Sequence, residues 1–173
     1  MSKNIPSKKI YAMVISYNSA PVLGDLYKRI DKNNFDKIYF FDDNSTDNSY
    51  EIARKFDWEV IKNENNLGHG GNLKKAVKTA FEDGADFVLE IHADNQYDPN
   101  LISKAKKFID QDYALIIGSR FVNKNPHKDE GMPFIRFISN KLMSFMTGKL
   151  LSIKLTEFHT GFKIFGKSFN ENV

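Results

Sequence analysis

Short apolar runs alternate along this chain with longer segments of helical period, and few architectures other than a mainly parallel sheet flanked by helices accept that alternation. The runs at Lys9–Ser16, Lys37–Asp42, Trp58–Lys62, Phe87–His92 and Ala114–Gly118 are expected to be strands. The intervening segments Ala20–Asn33, Asp47–Phe56, Gly71–Asp83 and Pro99–Gln111 are expected to be helices, with Ser19 and Thr46 placed to cap two of them. The resulting order, β-α-β-α-β-α-β-α-β, is that of an α/β domain with a Rossmann-like sheet.

Composition limits the function classes. With 173 residues, 41% of them hydrophobic and 27% charged, the chain suits one globular domain spanning residues 1–173. Its net charge of +3 is spread among acids and bases instead of being massed in a block, so nucleic acid is not an expected partner. The absence of cysteine excludes disulfides, thiolate zinc sites and a cysteine nucleophile, and suits a reducing compartment. No apolar run follows the polar N-terminus Met1–Lys9, and no stretch approaches the length of a membrane span. A cytoplasmic location is taken as the starting expectation. A polar loop at Asn123–Gly131 precedes a change of character: from Pro133 to Leu155 apolar residues recur at three- and four-residue steps. This segment is expected to be an amphipathic helical region packed on the sheet. The alternative is an interfacial helix at a membrane surface, because Arg136, Lys141, Lys149 and Lys154 flank its aromatic-rich face.

In an open α/β sheet, ligands bind beyond the carboxyl ends of the strands. Four polar clusters fall there: Ser16-Tyr17-Asn18, Asp42-Asp43-Asn44-Ser45-Thr46-Asp47, His92-Ala93-Asp94-Asn95-Gln96 and Ser119-Arg120. Singly, each reads as a turn or a helix cap. Jointly they mark one edge of the sheet.

With Asn66-Leu67-Gly68 and Thr160-Gly161-Phe162-Lys163 added, these clusters occur in the order and spacing of the family-2 glycosyltransferases, and the chain resembles the polyprenyl-phosphate sugar transferases among them. The resemblance runs from about Ser16 to Lys163. It implies the GT-A fold, a GDP- or UDP-sugar donor, and Mn²⁺ or Mg²⁺ on the donor diphosphate. Asp42 and Asp43 can accept hydrogen bonds from a base N–H and ribose hydroxyls. Tyr17 either offers its ring to the base or simply packs, and Asn18, Asn66 and Gly68 complete the expected donor-binding set.

Oxygen ligands for a cation are expected after the fourth strand, where Asp94 is the leading candidate and Gln96 a neighbour. There the sequence departs from the family's Asp-x-Asp, because His92 stands where the first acid is expected. An imidazole brings no charge and suits Mg²⁺ poorly, so His92 is either a ligand or a hydrogen-bonded structural residue. Asn66-Leu67-Gly68-His69-Gly70-Gly71-Asn72 permits close backbone approach to an anion or simply allows the next helix to start. Arg120 and, less strongly, Arg136 are the expected cationic partners of phosphate oxygens.

Inverting transfer to a hydroxyl needs a general base, whereas a polyprenyl phosphate presents an oxygen already ionised. Glu157 is the acid near the Thr-Gly-Phe-Lys match and stands as a candidate base, a helix-end charge or a structural partner. The expected activity is inverting sugar transfer to a polyprenyl phosphate or glycan acceptor, with peripheral contact at the cytoplasmic face of a membrane. The alternative is a nucleotide-sugar-binding module of a glycan-assembly complex. A sugar nucleotidyltransferase is disfavoured, because no N-terminal glycine-rich signature with a basic residue is present. The chain ends ten residues past Lys163, so a shortened C-terminus is expected.

Overall fold

The structure is a computed structural model that describes residues 8–122, 125–129, 131–158 and 160–170. Asn123, Lys124 and Glu130 of the expected polar loop, and His159 beside the Thr-Gly-Phe-Lys cluster, lie outside the described residues. The chain divides into two compact units: residues up to Ile116 together with Ile164 onwards, and Ile117–Lys163.

The larger unit begins with strand β1 (Ile10–Ser16), helix α1 (Ala20–Arg29), strand β2 (Lys37–Asp42), helix α2 (Ser49–Ala53) and strand β3 (Glu59–Lys62). Helix α3 (Gly68–Glu82), strand β4 (Phe87–His92), helix α4 (Ile102–Ile109) and strand β5 (Leu115–Ile117) follow. The smaller unit carries α5 (Pro126–Asp129) and α6 (Phe134–Leu151), after which β6 (Lys163–Gly166) and α7 (Lys167–Asn170) return to the sheet. The strand order is β3-β2-β1-β4-β6-β5. Pairing is parallel from β3 through β2 and β1 to β4, with Ile15 opposite Phe41 on one side and His92 on the other. Because β1 is succeeded by β2 on one flank and β4 on the other, their carboxyl ends form the switch point at which such sheets receive ligands.

The central strands are apolar on both faces, as parallel strands covered by helices must be. Along β1 every residue is buried. Alternation then assigns the faces. Met13, Ile15, Tyr39, Phe41 and Val88 form a cluster with Ala76, Val77, Ala80 and Phe81 of α3. Phe40 points the other way, and its ring stacks 6.1 Å from Trp58, which also meets Tyr27 at 5.4 Å and Phe56 at 4.9 Å.

Several expected elements are shorter than the periodicity suggests. The first helix stops at Arg29 and is followed by a 3-10 turn at Lys32–Asn34, and the helix expected from Asp47 begins at Ser49. Asp47 explains both helix starts. Its Oδ2 accepts the Ala20 N–H at 3.0 Å and its Oδ1 the Ser49 N–H at 2.9 Å, so this one carboxylate satisfies the first N–H of both α1 and α2. Ser19 occupies the α1 cap position without a side-chain cap bond, because its hydroxyl pairs with that of Ser16. Thr46 precedes the actual α2 cap residue, Asn48. Burial opposes ionisation of Asp47, but the hydrogen bonds from Ser49 and Ala20 outweigh it and hold the carboxyl below its usual range.

Residues Phe134–Leu151 of the expected amphipathic region form α6, and its apolar residues are largely exposed. Of α6 only Ser144 is buried, whereas Ile135 is 81% exposed and Leu150 84%. The reason lies in the spacing: the apolar residues from Phe134 to Leu151 extend more than halfway round a helix of 3.6 residues per turn, so no single seam can bury them.

The close pairing of β6 with the segment before β5 depends on Gly166. Its N–H donates to Ala114 O at 2.8 Å, and a Cβ there would lie 2.3 Å from the Tyr113 carbonyl oxygen. Gly166→Ala is therefore expected to cost about 1–3 kcal/mol, the range for overpacking against atoms that cannot move aside. Thermal unfolding followed by circular dichroism checks this, and an unchanged Tm would mean that the strand can shift without cost.

Candidate active site

Three segments converge at the carboxyl ends of β1, β2 and β3. Ile15, Ser16, Tyr17, Asp43, Asn66, Gly68, His69 and Asn72 line a cavity of about 310 Å³. The sequence-expected residues Tyr17, Asp43, Asn66 and Gly68 are thus brought together. Tyr17 is half exposed at 52%, its ring open to a flat ligand.

A buried polar network holds this cavity in shape. Asp43 Oδ1 accepts from Asn63 Nδ2 and from the Leu67 N–H, each at 2.8 Å. Asn63 also donates to Asn72 Oδ1 at 3.0 Å and accepts from Lys75 Nζ at 2.8 Å, while Asn72 donates to the Phe41 carbonyl at 3.1 Å. Asn66 Oδ1 accepts the Gly68 N–H at 2.9 Å, and Gly68 takes φ +72°, a conformation that costs a residue with a Cβ. The glycine-rich segment is therefore an ordered entry into α3, which begins at Gly68, before the Gly71 start expected from the sequence.

Asn18 and Asp42 have local structural partners. Asn18 Oδ1 accepts the Thr46 N–H at 2.9 Å, and the Asn18 N–H donates to Ser45 Oγ at 2.9 Å, bracing the β1 loop against the β2 loop. Asp42 Oδ2 accepts the Ser45 N–H at 3.0 Å and lies 3.9 Å from Lys62 Nζ. Asp42 Oδ1 is buried with no partner among the described residues.

At the end of β4 the side chains separate. Asp94 and Gln96 are exposed and belong to one turn, Asp94 Oδ1 accepting the Gln96 N–H at 3.0 Å. His92 turns instead to Glu90, with Nε2 2.8 Å from Glu90 Oε1. His69, from the first turn of α3, places its Nε2 3.3 Å from the same oxygen. Glu90 and His69 were not among the expected site residues. The signal that could have found Glu90 is its spacing: Glu90-Ile91-His92 sets an acid and an imidazole two residues apart, hence on one face of a strand.

In the smaller unit Arg120 and Glu157 face each other. Glu157 is fully buried. One of its oxygens accepts the Arg120 backbone N–H at 2.9 Å, and the other accepts from Nε at 3.1 Å and from Nη2. Both sequence-expected residues are present and paired. The same unit holds an apolar cavity of about 570 Å³ at the end of α6, lined by Phe145, Ile153 and Leu155 with Lys149 and Lys154.

The sheet order and the cavity at its switch point define the GT-A class of nucleotide-sugar transferase folds, and solved structures of that class superpose on the chain. Mannosyl-3-phosphoglycerate synthase from Rubrobacter xylanophilus matches with a TM-score of 0.68 at 17% identity, over 92% of this chain and 53% of that one. Glucosyl-3-phosphoglycerate synthase from Mycobacterium tuberculosis, in complex with Mn²⁺, uridine diphosphate and glucosyl-3-phosphoglycerate, matches with a TM-score of 0.66 at 14% identity, over 94% and 58%. The chain belongs to glycosyl transferase family 2, whose model matches residues 11–173. Among its relatives, UDP-N-acetylglucosamine–dolichyl-phosphate N-acetylglucosaminyltransferase of Methanococcus voltae is 30% identical, over 93% of this chain and 70% of the relative. Dolichol-phosphate mannosyltransferase of Pyrococcus furiosus is 29% identical, over 86% and 43%. The chain thus spans between about two fifths and seven tenths of the length of these relatives, and a little over half of the solved chains.

The Arg120–Glu157 pair makes a stability prediction. Removing the guanidinium by Arg120→Ala leaves a buried carboxylate uncompensated, which costs about 3–5 kcal/mol, towards the lower figure because Arg120 is itself partly exposed. Glu157→Gln combined with Arg120→Ala is expected to recover part of that loss. Chemical denaturation of the two variants and the wild type checks this, and equal midpoints would deny the pair a structural role.

Proposed function

We propose that the protein transfers a sugar, with inversion, from a nucleoside-diphosphate sugar to a polyprenyl phosphate. The cavity at the switch point carries the donor half of this proposal. A base can lie against Tyr17, and Asp43, whose Oδ1 is committed to Asn63 and Leu67, has a second oxygen to accept a base N–H or a ribose hydroxyl. Asn66 and Gly68 shape the wall beside the ribose and phosphates, and Asp42 and Asn18 support the loops from beneath. The relative named for UDP-N-acetylglucosamine favours a UDP-sugar, with a GDP-sugar as the other donor that the family resemblance admits.

A divalent cation, when bound, neutralises the diphosphate as it becomes the leaving group. Its proposed place is the β4 edge, with His92 as an imidazole ligand and Asp94 and Gln96 on the adjoining turn to meet the donor. An imidazole donor at His92 suits Mn²⁺ better than Mg²⁺.

For the acceptor, the supporting observation is the apolar cavity at the end of α6 with Lys149 and Lys154 on its wall, beside a helix whose apolar residues are exposed. An isoprenoid chain can occupy the apolar part and its phosphate can meet the lysines, while the exposed face of α6 and its basic residues rest on an anionic membrane surface. No helix among the described residues is long and apolar enough to cross a membrane. Glu157 has its carboxylate engaged by Arg120, and transfer to an ionised phosphate oxygen requires no base. The names of the dolichyl-phosphate relatives favour the same acceptor class.

Two measurements test this. Asp43→Asn keeps an acceptor for Asn63 and Leu67 but removes the charge, and it is expected to weaken UDP or GDP binding in calorimetry by about 1.5–3 kcal/mol. Unchanged affinity would remove Asp43 from the donor site. Supplied with the donor it binds and either a short-chain polyprenyl phosphate or soluble hydroxyl acceptors, the protein is expected to glycosylate the phosphate, and Ile135→Asp with Leu150→Asp to lower the rate on vesicle-borne acceptor. Transfer to hydroxyl acceptors alone would overturn the lipid-phosphate assignment.

A further inference from the structure

We infer that His69, Glu90 and His92 form a divalent transition-metal site, so that the cation is anchored by two imidazoles and a buried carboxylate on the inner side of β4, with Asp94 no anchor. The atoms that would bind the ion all lie within 4.8 Å of one another. Glu90 Oε1 is 2.8 Å from His92 Nε2 and 3.3 Å from His69 Nε2, and the two rings stand 4.9 Å apart. Ligand atoms about 2.0–2.2 Å from a common ion are separated by roughly these distances, so the triad needs little movement to converge.

The chemistry of burial supports the assignment. Glu90 sits in the central part of β4, opposite Met13 of β1, with its side chain fully inaccessible. Both imidazoles at its oxygen are partly exposed, His92 at 26% and His69 at 54%, which leaves the triad an open outer side. Neutral imidazoles, one carboxylate and a dication sum to a single positive charge, which would draw an anionic diphosphate to that side. His69 also lines the cavity with Tyr17 and Asp43, so an ion on the triad borders the proposed donor site. Imidazole ligands select Mn²⁺, Co²⁺ or Zn²⁺ over Mg²⁺.

The metal site rests on these three residues alone. Its service to the donor rests on the function proposed above, and the experiment separates the two. Mn²⁺ binding by the purified protein, followed by electron paramagnetic resonance, and Co²⁺ binding, followed by visible absorption, are expected to saturate at one ion per chain without competition from Mg²⁺. His69→Ala, Glu90→Gln and His92→Ala are each expected to weaken binding by at least about tenfold, since even the loss of an outer partner of a ligand costs that much. Asp94→Asn is expected to leave it nearly unchanged. Circular dichroism identifies any variant that fails to fold, and Glu90→Gln, which keeps the side chain's size, serves if His92→Ala does. Absence of saturable binding by the wild type, or binding lost in Asp94→Asn and retained in Glu90→Gln and His69→Ala, would overturn the site. Saturable binding at the triad that leaves UDP and GDP affinity unchanged would uphold the site and overturn its link to the donor.

Discussion

The carboxylate of Asp43 is where the end of β2, the end of β3 and the entry to α3 are tied together. Asp43, Asn63 and Asn72 are all nearly or fully buried, and each needs its partners because a buried polar group without them costs on the order of 1–3 kcal/mol. The Leu67 N–H is held by the same oxygen as Asn63 Nδ2, which sets the position from which Gly68 and His69 start α3. The cavity wall and the approach of His69 to Glu90 follow from that one anchoring point. Because Oδ1 holds Asn63 and Leu67, Asp43→Asn, which keeps an acceptor there, is a cleaner probe of the proposed donor binding than truncation.

The neighbouring loops use a second device. The loops after β1, β2 and β4 each carry an asparagine in the left-handed region, Asn18 at φ 51°, Asn44 at 60° and Asn95 at 59°. Asparagine tolerates that conformation better than most residues with a side chain, and its amide can bond locally. Asn18 binds the β2 loop through the Thr46 N–H, and Asn95 Nδ2 donates to Val22 O of α1 at 3.3 Å. The sheet edge is thereby turned sharply and braced sideways. A ligand meeting this edge meets prearranged groups.

Much of this was legible in the sequence, for physical reasons that differ from element to element. β2 and β4 have the expected limits because each is a predominantly apolar run, interrupted only by Glu90 in β4, that ends at Asp42 or His92, where hydrophobicity and turn chemistry agree. Helix starts were less legible, since Asp47 satisfies the first N–H of α1 from 27 residues away, a contact invisible to local pattern. β6 was missed because Lys163–Gly166 is short and begins at the last residue of the Thr-Gly-Phe-Lys cluster, which drew a functional interpretation. Of the residues that line the cavity, Tyr17 and Asp43 were singled out by their place after strands, and Asn66 and Gly68 by the family resemblance. Glu90 was not, because an acid inside an apolar strand invites no attention until the strand's period of two pairs it with His92.

Arg120 and Glu157 show how pairing narrows the chemistry that remains. As separate residues, one offers a cation for phosphate and the other a base for a hydroxyl. In the structure Glu157 receives the backbone N–H and two guanidinium donors of Arg120, so drawing a proton to that carboxylate would mean weakening bonds that compensate a fully buried charge. A nucleophile that must be deprotonated would therefore be poorly served by Glu157. An acceptor that arrives ionised avoids the difficulty, and a phosphate carried on an apolar chain also suits the lysine-flanked cavity at the end of α6 and the exposed apolar residues beside it. The charge pairing of one buried carboxylate and the unburied surface of one helix are independent features, and the proposed lipid-phosphate acceptor draws on both.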